Sequence, residues 1–464
     1  MTTESEQWLQ FERYAVWGLG RSGIAAANLL ARHNKSVVAS DIAAVEELSD
    51  AIEELDDSVE VIGGENAIGD AEVIVTSPGL RPGLAVFDEA RRQGIPVISE
   101  VDLAFDASSS TWLAITGTDG KTTTTGLVGA MLKAAGRSHV VAGNIGVALC
   151  DVVESVDDDG VVVAEVSANQ LWSCHHLAVD TAAITNIAED HRDYFDDFED
   201  YPRAKHRLVE LQRPDGHAVL PAGDRSIYEA VEDRCPDEIT WFGRGANRGD
   251  DVERLVYFDD DGVGRWRTGD QEGRWLDDFS TVDLIGPHNQ LNACCAAAMA
   301  RTVGVCWADI AQGLHSYERP PHRMEPVGSV GDTRFIDDSK ATNAHASLAG
   351  LEGIDGPLVV IAGGLDKGLD LDEWGACVAD RADCTIVIGE IADRMTALLD
   401  SRGGVVHRAQ TLPEAVEMAH KQAKPGSTVV LSPACSSYDM FSSYKERGRV
   451  FQQAVADEIK PRPS

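Results

Sequence analysis

Paired cysteines are missing from this 464-residue chain: its nine cysteines are scattered, none lies in a C-x-x-C, and Cys294-Cys295 are adjacent. That spacing argues against a zinc ribbon or a disulfide framework and for reduced, buried thiols. Long apolar runs are missing too, since no stretch approaches the ~20 residues of a membrane span. The opening residues, Met1-Thr-Thr-Glu-Ser-Glu-Gln7, lack a basic-plus-apolar signal pattern, so a cytoplasmic location is expected. Positive charge is scarce: 40 Lys and Arg stand against 77 Asp and Glu, a net charge of -37. Such a surface repels nucleic acid and anionic membranes, and neither is expected as a partner. It reads as a solvated acidic coat suited to high salt, in which an anionic substrate needs local pockets of Lys and Arg. The 43% hydrophobic content is that of a globular protein, and the length calls for two or three domains.

What is present centres on Thr111-Trp-Leu-Ala-Ile-Thr-Gly-Thr-Asp-Gly-Lys-Thr-Thr-Thr-Thr125. The apolar run Trp112 to Ile115 predicts a buried strand, and Leu127, Val128, Met131 and Leu132 recur at helical spacing. Between them lie Gly117, Thr118, Asp119, Gly120, Lys121, Thr122 and Thr123. Glycines let backbone N–H groups approach an anion, and a helix N-terminus adds partial positive charge. Lys121 would reach the outer phosphates and the Thr122 hydroxyl would take a Mg2+ position. Ile115 stands where the full G-x-x-x-x-G-K-[ST] motif has its first glycine. By itself the stretch fits either a nucleotide-binding loop or an ordinary strand–turn–helix.

Upstream, Tyr14-Ala-Val-Trp-Gly-Leu-Gly-Arg-Ser-Gly23 is a strand followed by G-x-G-x-x-G, with a helix over 24–31 and a second strand ending at Asp41. Gly18, Gly20, Gly23 and Asp41 thereby meet the local criteria for a dinucleotide fingerprint, whose alternative is a Rossmann-like unit using its glycines for packing. The strand Val73–Thr76 runs into Ser77-Pro78-Gly79, and a last strand closes at Ser99. The acidic stretch from Glu100 to Ser110 reads as an exit linker.

Downstream of the phosphate loop come a second glycine turn, Gly143-Asn144-Ile145-Gly146, and the apolar strand Val161 to Glu165, followed by Ser167 and Gln170. The strand 182–187 delivers Glu189-Asp190-His191 at its tip. A parallel sheet would set Lys121-Thr122, Glu165 and His191 along one edge. His191 alone reads as a capped or solvated histidine; beside the other two strand ends it reads as a metal ligand. Residues 250–273 are acidic and predict a surface hairpin without chemistry. Ile285-Gly-Pro-His-Asn289-Gln-Leu-Asn292 starts an Ala-rich helix. Beyond Pro320, Arg323 precedes three strands that end in polar loops: Asp338-Ser-Lys340-Ala-Thr342, Gly363-Gly-Leu-Asp-Lys367 and Ser432 to Ser437. Alternation of strands and helices predicts another doubly wound sheet. The expected class is α/β in three domains, with boundaries at 1–107, 108–317 and 318–464.

These parts suit ATP and Mg2+ chemistry, in which phosphoryl transfer needs positioning and charge neutralisation more than covalent help. The chain resembles the Mur ligases of peptidoglycan synthesis, most closely their glutamate-adding branch. The likeness runs from Tyr14 to Phe451 through G-L-G-R-S-G, S-P-G, G-T-D-G-K-T-T, G-N-I-G, E-V-S-A-N-Q-L, I-T-N-I-A-E-D-H, Y-P-R-A-K, G-P-H-N-Q-L-N, P-P-H-R-M-E, D-D-S-K-A-T-N, G-G-L-D-K and S-P-A-C-S-S-Y-D-M-F.

The resemblance implies a Rossmann-like first domain holding a uridine nucleotide rather than NAD, a P-loop ATPase-like centre with a mostly parallel sheet flanked by helices, and a Rossmann-like last domain. It implies an ATP-dependent ligase, a monomer, acting on UDP-N-acetylmuramoyl-L-alanine and D-glutamate through an acyl phosphate; an L-glutamate-adding variant is the alternative, and a dehydrogenase using Gly18 to Asp41 is the reading from another class. It implies two Mg2+ ions, with Thr122 and Glu165 at the first, and His191 and a carbamylated Lys205 at the second. Read without it, Lys205 is a solvated helix lysine. ATP contacts would come from the phosphate loop, Asn289, Asn292, Arg323 and Asp338, and uridine-side contacts from Gly18, Gly20, Ser22, Asp41, Ser77 and Gly79. Asn144, Ser167 and Gln170 would line the muramoyl portion, and Lys340, Thr342, Lys367, Ser437 and Tyr444 the glutamate. Asp119 stands where the family commonly has Asn, and Ala168-Asn169 where it has Ser-Phe.

Overall fold

A computed structural model describes residues 7–188, 200–245, 252–368 and 370–459. The chain divides into two compact units, Met1–Val282 with Gln290–Tyr317 and Asp283–Asn289 with Glu318–Ser464. Three sheets run through them.

The first sheet holds β1 (Arg13–Trp17), β2 (Ser36–Asp41), β3 (Glu60–Gly63), β4 (Val73–Thr76) and β5 (Val97–Ser99). All pair in parallel in the order β3-β2-β1-β4-β5. Chain direction across the sheet reverses between β1 and β4. Ligands of open α/β sheets bind at such a point, outside the carboxyl ends of the strands. The loop after β1 carries Gly18 and Gly20, and the loop after β4 carries Ser77 and Gly79. The two are in contact: a Cβ on Gly18 (φ +83°) would come within 2.8 Å of Ser77 Cβ.

The central sheet contains β6 (Thr111–Thr116), β7 (His139–Gly143), β8 (Val161–Glu165), β9 (Val179–Ile184), β10 (Gln212–Pro221), β11 (Glu238–Arg244), β12 (Arg254–Phe258), β13 (Gly264–Thr268) and β14 (Gln271–Leu276). Their order is β14-β13-β12-β11-β10-β9-β6-β8-β7, parallel from β12 to β7. β6 and β8 are buried along nearly their whole length, as a strand covered on both faces must be. The hairpin expected over 250–273 is therefore more than a surface feature. Its strands extend this sheet, because Phe258 packs on Trp275 and Phe279 at ring separations of 5.2 and 5.0 Å.

The third sheet has β15 (Glu325–Val330), β16 (Thr333–Asp337), β17 (Leu358–Gly363), β18 (Cys384–Ile388), β19 (Val406–Arg408) and β20 (Thr428–Leu431), in the order β15-β16-β20-β17-β18-β19. Only β15 runs antiparallel to its neighbour.

The stretch expected to be an exit linker after Ser99 is instead the helix Glu100–Asp106, whose Glu100 and Asp102 are buried. Its acidity misleads because the carboxylates accept backbone N–H groups rather than face solvent. Glu100 Oε1 accepts Cys150 N–H at 2.8 Å, and Asp102 Oδ1 accepts those of His175 and His176 at 2.9 and 2.7 Å. Asp102 Oδ2 closes a capping box on Ser99 N–H at 3.0 Å. Burial raises Glu100 to about 7, against the downward pull of the Cys150 N–H. The sign follows from linkage: the native state binds the proton more tightly, so stability falls as pH rises from about 4.5 to about 7. Glu100→Gln removes that dependence. The loss of stability between pH 5 and 8, measured by urea unfolding, should shrink by up to about 3 kcal/mol; equal losses in both proteins would contradict it.

Candidate active site

The phosphate loop is shaped by two glycines that cannot be replaced. Gly117 has φ +146° and a Cβ there would sit 1.8 Å from Thr185 Oγ1. Gly120 has φ +78°, caps the helix Lys121–Ala134, and a Cβ would sit 2.2 Å from Asn292 Oδ1. Only glycine combines left-handed backbone with such close neighbours. The loop is laced to the segment after β9. Asp119 N–H donates to Asn186 Oδ1 at 3.0 Å, Thr185 Oγ1 donates to Asp119 O at 2.6 Å, and Ala188 N–H donates to Thr118 Oγ1 at 2.9 Å. Lys121 Nζ lies back over the loop, donating to the carbonyls of Gly117 at 2.8 Å and Thr118 at 2.7 Å. Thr122 and Thr123 are buried on the first helical turn.

Glu165 ends β8, beside β6 in the sheet. Its Oε1 accepts Asn144 Nδ2 at 2.8 Å. Its Oε2 is buried and has no hydrogen-bond partner among the described residues. A buried carboxylate oxygen without a donor is costly and is the kind of group a cation satisfies. The unpartnered Glu165 Oε2 therefore fits a hard divalent cation such as Mg2+. Ser167 and Gln170 form a capping box on the helix Ala168–Trp172, with Gln170 Oε1 accepting from Ser167 N–H at 3.0 Å. Asn169 reaches Pro78 O at 3.5 Å, so this departure from the family's Phe touches the first sheet's Ser77-Pro78-Gly79 turn.

Lys205, on the helix Asp200–Glu210, is 1% exposed. Its Nζ donates to Gly117 O at 2.6 Å and stands 4.3 Å from the centre of the Tyr201 ring. It is a buried strut of the phosphate loop, not the solvated helix lysine that its sequence alone indicates. Glu189, Asp190 and His191 lie outside the described residues. Asn292 touches the phosphate loop; Asn289, on the same helix Pro287–Thr302, belongs to the second unit and donates to Ile285 O at 2.7 Å.

In the first sheet, both Asp41 oxygens accept backbone N–H groups, from Leu19 at 2.8 Å and Ala43 at 2.9 Å. The acid thus braces the glycine turn. Gly20 has open space where a Cβ would be, which leaves room for close approach of a ligand to the backbone. Ser22 is buried under the turn. Arg21, passed over in the sequence, donates to carbonyls of the Gly143–Gly146 turn at 2.6 to 3.3 Å.

In the second unit, strand order brings distant residues together. β20 lies between β16 and β17. The loops that carry Lys340 and Thr342, Ser437, and Lys367 therefore leave one sheet edge side by side. Lys340 Nζ lies 5.7 Å from the centre of the Tyr444 ring, and Ser437 is buried. Asp338 is buried, accepting Met324 N–H at 3.2 Å and Ser432 Oγ at 3.1 Å. Burial pushes it up to about 7, and the Arg323 guanidinium opposes this. Arg447, a helix arginine with no motif to flag it, is 1% exposed and holds three of these loops. It donates to Ser339 O at 2.8 Å, Cys435 O at 3.0 Å and Gly363 O at 3.4 Å. Burial lowers it to about 10.

Asp119 places one more negative charge in the phosphate loop. Asp119→Asn should lower the KM for ATP several-fold, most at low ionic strength. Steady-state kinetics at two salt concentrations check this; an unchanged KM at both would mean that the charge is already offset.

Three family models match: a Mur ligase MurD-like N-terminal domain over residues 12–99, a Mur ligase middle domain over 115–300, and a Mur ligase glutamate ligase domain over 322–435. The chain belongs to the Mur ligase family and is an ATP-dependent, amide-bond-forming ligase. Within that family it is similar to the UDP-N-acetylmuramoylalanine–D-glutamate ligases of Desulfitobacterium hafniense (37% identical, covering 96% of this chain and 98% of that one) and Rubrobacter xylanophilus (38%, 95% and 97%). Among solved structures it shares the fold of a pseudomurein peptide ligase type C from Methanothermus fervidus, with TM-score 0.62 at 18% identity over 97% of this chain and 100% of that one. A MurF ligase from Thermotoga maritima, solved in complex with ADP, aligns with TM-score 0.62 at 16% identity over 97% and 99%. No helix among the described residues is long and apolar enough to cross a membrane.

Proposed function

We propose that this ligase joins D-glutamate to UDP-N-acetylmuramoyl-L-alanine in the cytoplasm, splitting ATP to ADP and phosphate, as a step of peptidoglycan precursor synthesis. The observation that carries the reading is a phosphate loop beside a buried carboxylate, Glu165, with one oxygen left for a cation. A carboxylate is a poor electrophile. Transfer of the γ-phosphoryl group to the alanine carboxylate gives an acyl phosphate. The glutamate amine then attacks its carbonyl carbon, and the tetrahedral intermediate expels phosphate as the amide forms.

In this scheme Lys121 exchanges its loop carbonyls for phosphate oxygens, while the loop N–H groups hold the triphosphate at the helix N-terminus. Thr122 and Glu165 would hold one Mg2+; His191 and Lys205, the latter as its carbamate, would hold a second. Bound Mg2+ supplies charge neutralisation where triphosphate and carboxylate meet. Asn289, Asn292, Arg323 and Asp338 serve ATP. Gly18, Gly20, Ser22, Asp41, Ser77 and Gly79 serve the uridine end, and Asn144, Ser167 and Gln170 the muramoyl end. Lys340, Thr342, Lys367, Ser437 and Tyr444 receive the amino acid, with cations answering its carboxylates.

The test is phosphate release by the purified protein with ATP, Mg2+, the nucleotide-sugar and either glutamate enantiomer. Turnover with D-glutamate is expected. Turnover with L-glutamate alone would redirect the reading to the other enantiomer, and none with either would end it.

A further inference from the structure

We propose that Arg21 is a positioning residue that locks the metal-side carboxylate, Glu165, to the glycine turn of the first sheet. The inference rests on the function proposed above and goes beyond it in assigning work to a residue that touches neither phosphate nor metal there. Arg21 opens the helix Arg21–Arg32, directly after Gly18-Leu19-Gly20. Its Nη1 donates to Gly146 O at 2.6 Å, and its Nη2 donates to Gly143 O at 3.2 Å and Asn144 O at 3.3 Å. Three carbonyls of one turn converge on a single planar fork, a geometry that arginine matches and lysine does not.

The other side of that turn is built onto Glu165. Asn144 N–H donates to Glu165 O at 2.8 Å, and Asn144 Nδ2 donates to Glu165 Oε1 at 2.8 Å. Gly143, at φ +111°, lies so close that a Cβ would meet Glu165 O at 2.3 Å. With Oε1 held, Oε2 is left in one orientation. Arg21, Asn144 and Glu165 thus form a continuous chain from the uridine-side turn to the oxygen assigned to Mg2+.

The far end of the turn has independent anchors. Arg32 Nη2 donates to Cys150 O at 2.8 Å, and Glu100 Oε1 accepts Cys150 N–H at 2.8 Å. Removing the exposed Arg21 guanidinium should therefore loosen Asn144 and Glu165 while leaving the fold intact.

Arg21→Ala, Arg21→Lys and Asn144→Ala in the full chain test this. Two readouts are used: phosphate release as Mg2+ is varied, and calorimetric titration with ADP at several Mg2+ concentrations. Arg21→Ala should raise the Mg2+ concentration for half-maximal effect roughly five- to tenfold in both. The KM for glutamate and the Tm should be unchanged, and Arg21→Lys should recover part of the shift. The Arg21→Ala/Asn144→Ala double variant should be no worse than the worse single one, because the two act in series. An unchanged Mg2+ dependence, or strictly additive losses, would overturn the inference. If the parent protein releases no phosphate, the proposed function fails, and the ADP titration still decides the role of Arg21.

Discussion

Lys121→Ala lowers phosphate release by about a thousandfold, the scale expected when one preorganised cation is removed from where charge gathers. The side chain now spans the carbonyls of Gly117 and Thr118, so it is already poised over the loop. Its removal does not endanger the helix, whose start is set by Gly120 in the left-handed conformation. The variant should keep the parent Tm, and the loss should persist at saturating ATP. Lys121→Arg should not rescue it, because the wider guanidinium does not fit between two carbonyls that accept a compact ammonium. Single-turnover phosphate release is the measurement, and turnover within tenfold of the parent would take this loop out of the mechanism.

Lys205→Ala should cost at least about a hundredfold in kcat and also lower the Tm, since the residue is both buried and bonded. At 1% exposure its Nζ sits under the phosphate loop, 2.6 Å from Gly117 O. Truncation leaves Lys121 Nζ to donate to that carbonyl in its place and empties the space against Tyr201. Two accounts of the lysine separate on a second readout. As a carbamate it would gain a carboxylate by reaction of its neutral amine with carbon dioxide. Parent activity would then rise on adding bicarbonate to depleted solutions, and formate or acetate would restore part of the activity of the alanine variant. As an ammonium strut it would show neither effect. Normal activity in the variant would refute both.

Legibility in the sequence followed the range of the interactions involved. The strand-turn-helix around Lys121 was readable because apolar periodicity and glycine positions act over a few residues. Lys205 was legible only through its Y-P-R-A-K resemblance, because its burial comes from contacts with a loop 88 positions away. Glu100 and Asp102 were misread as a linker because acidic side chains that cap backbone N–H groups look, residue by residue, like solvated ones. Arg447 left no local sign at all, since its partners lie on three separate strand ends.

What the amino-acid sequence determined by itself was a set of glycine-bearing and polar strand tips: Gly18 to Ser22, Gly117 to Thr123, Glu165, and the loops at Asp338, Lys367 and Ser437. Each is set by local backbone preference and hydrophobic period. Only the tertiary structure decided which tips are neighbours, placing β8 beside β6 and β20 between β16 and β17. It also decided that Arg21 should reach the Gly143–Gly146 turn. Strand order and burial are settled by packing among residues far apart in the chain, and no local pattern records that.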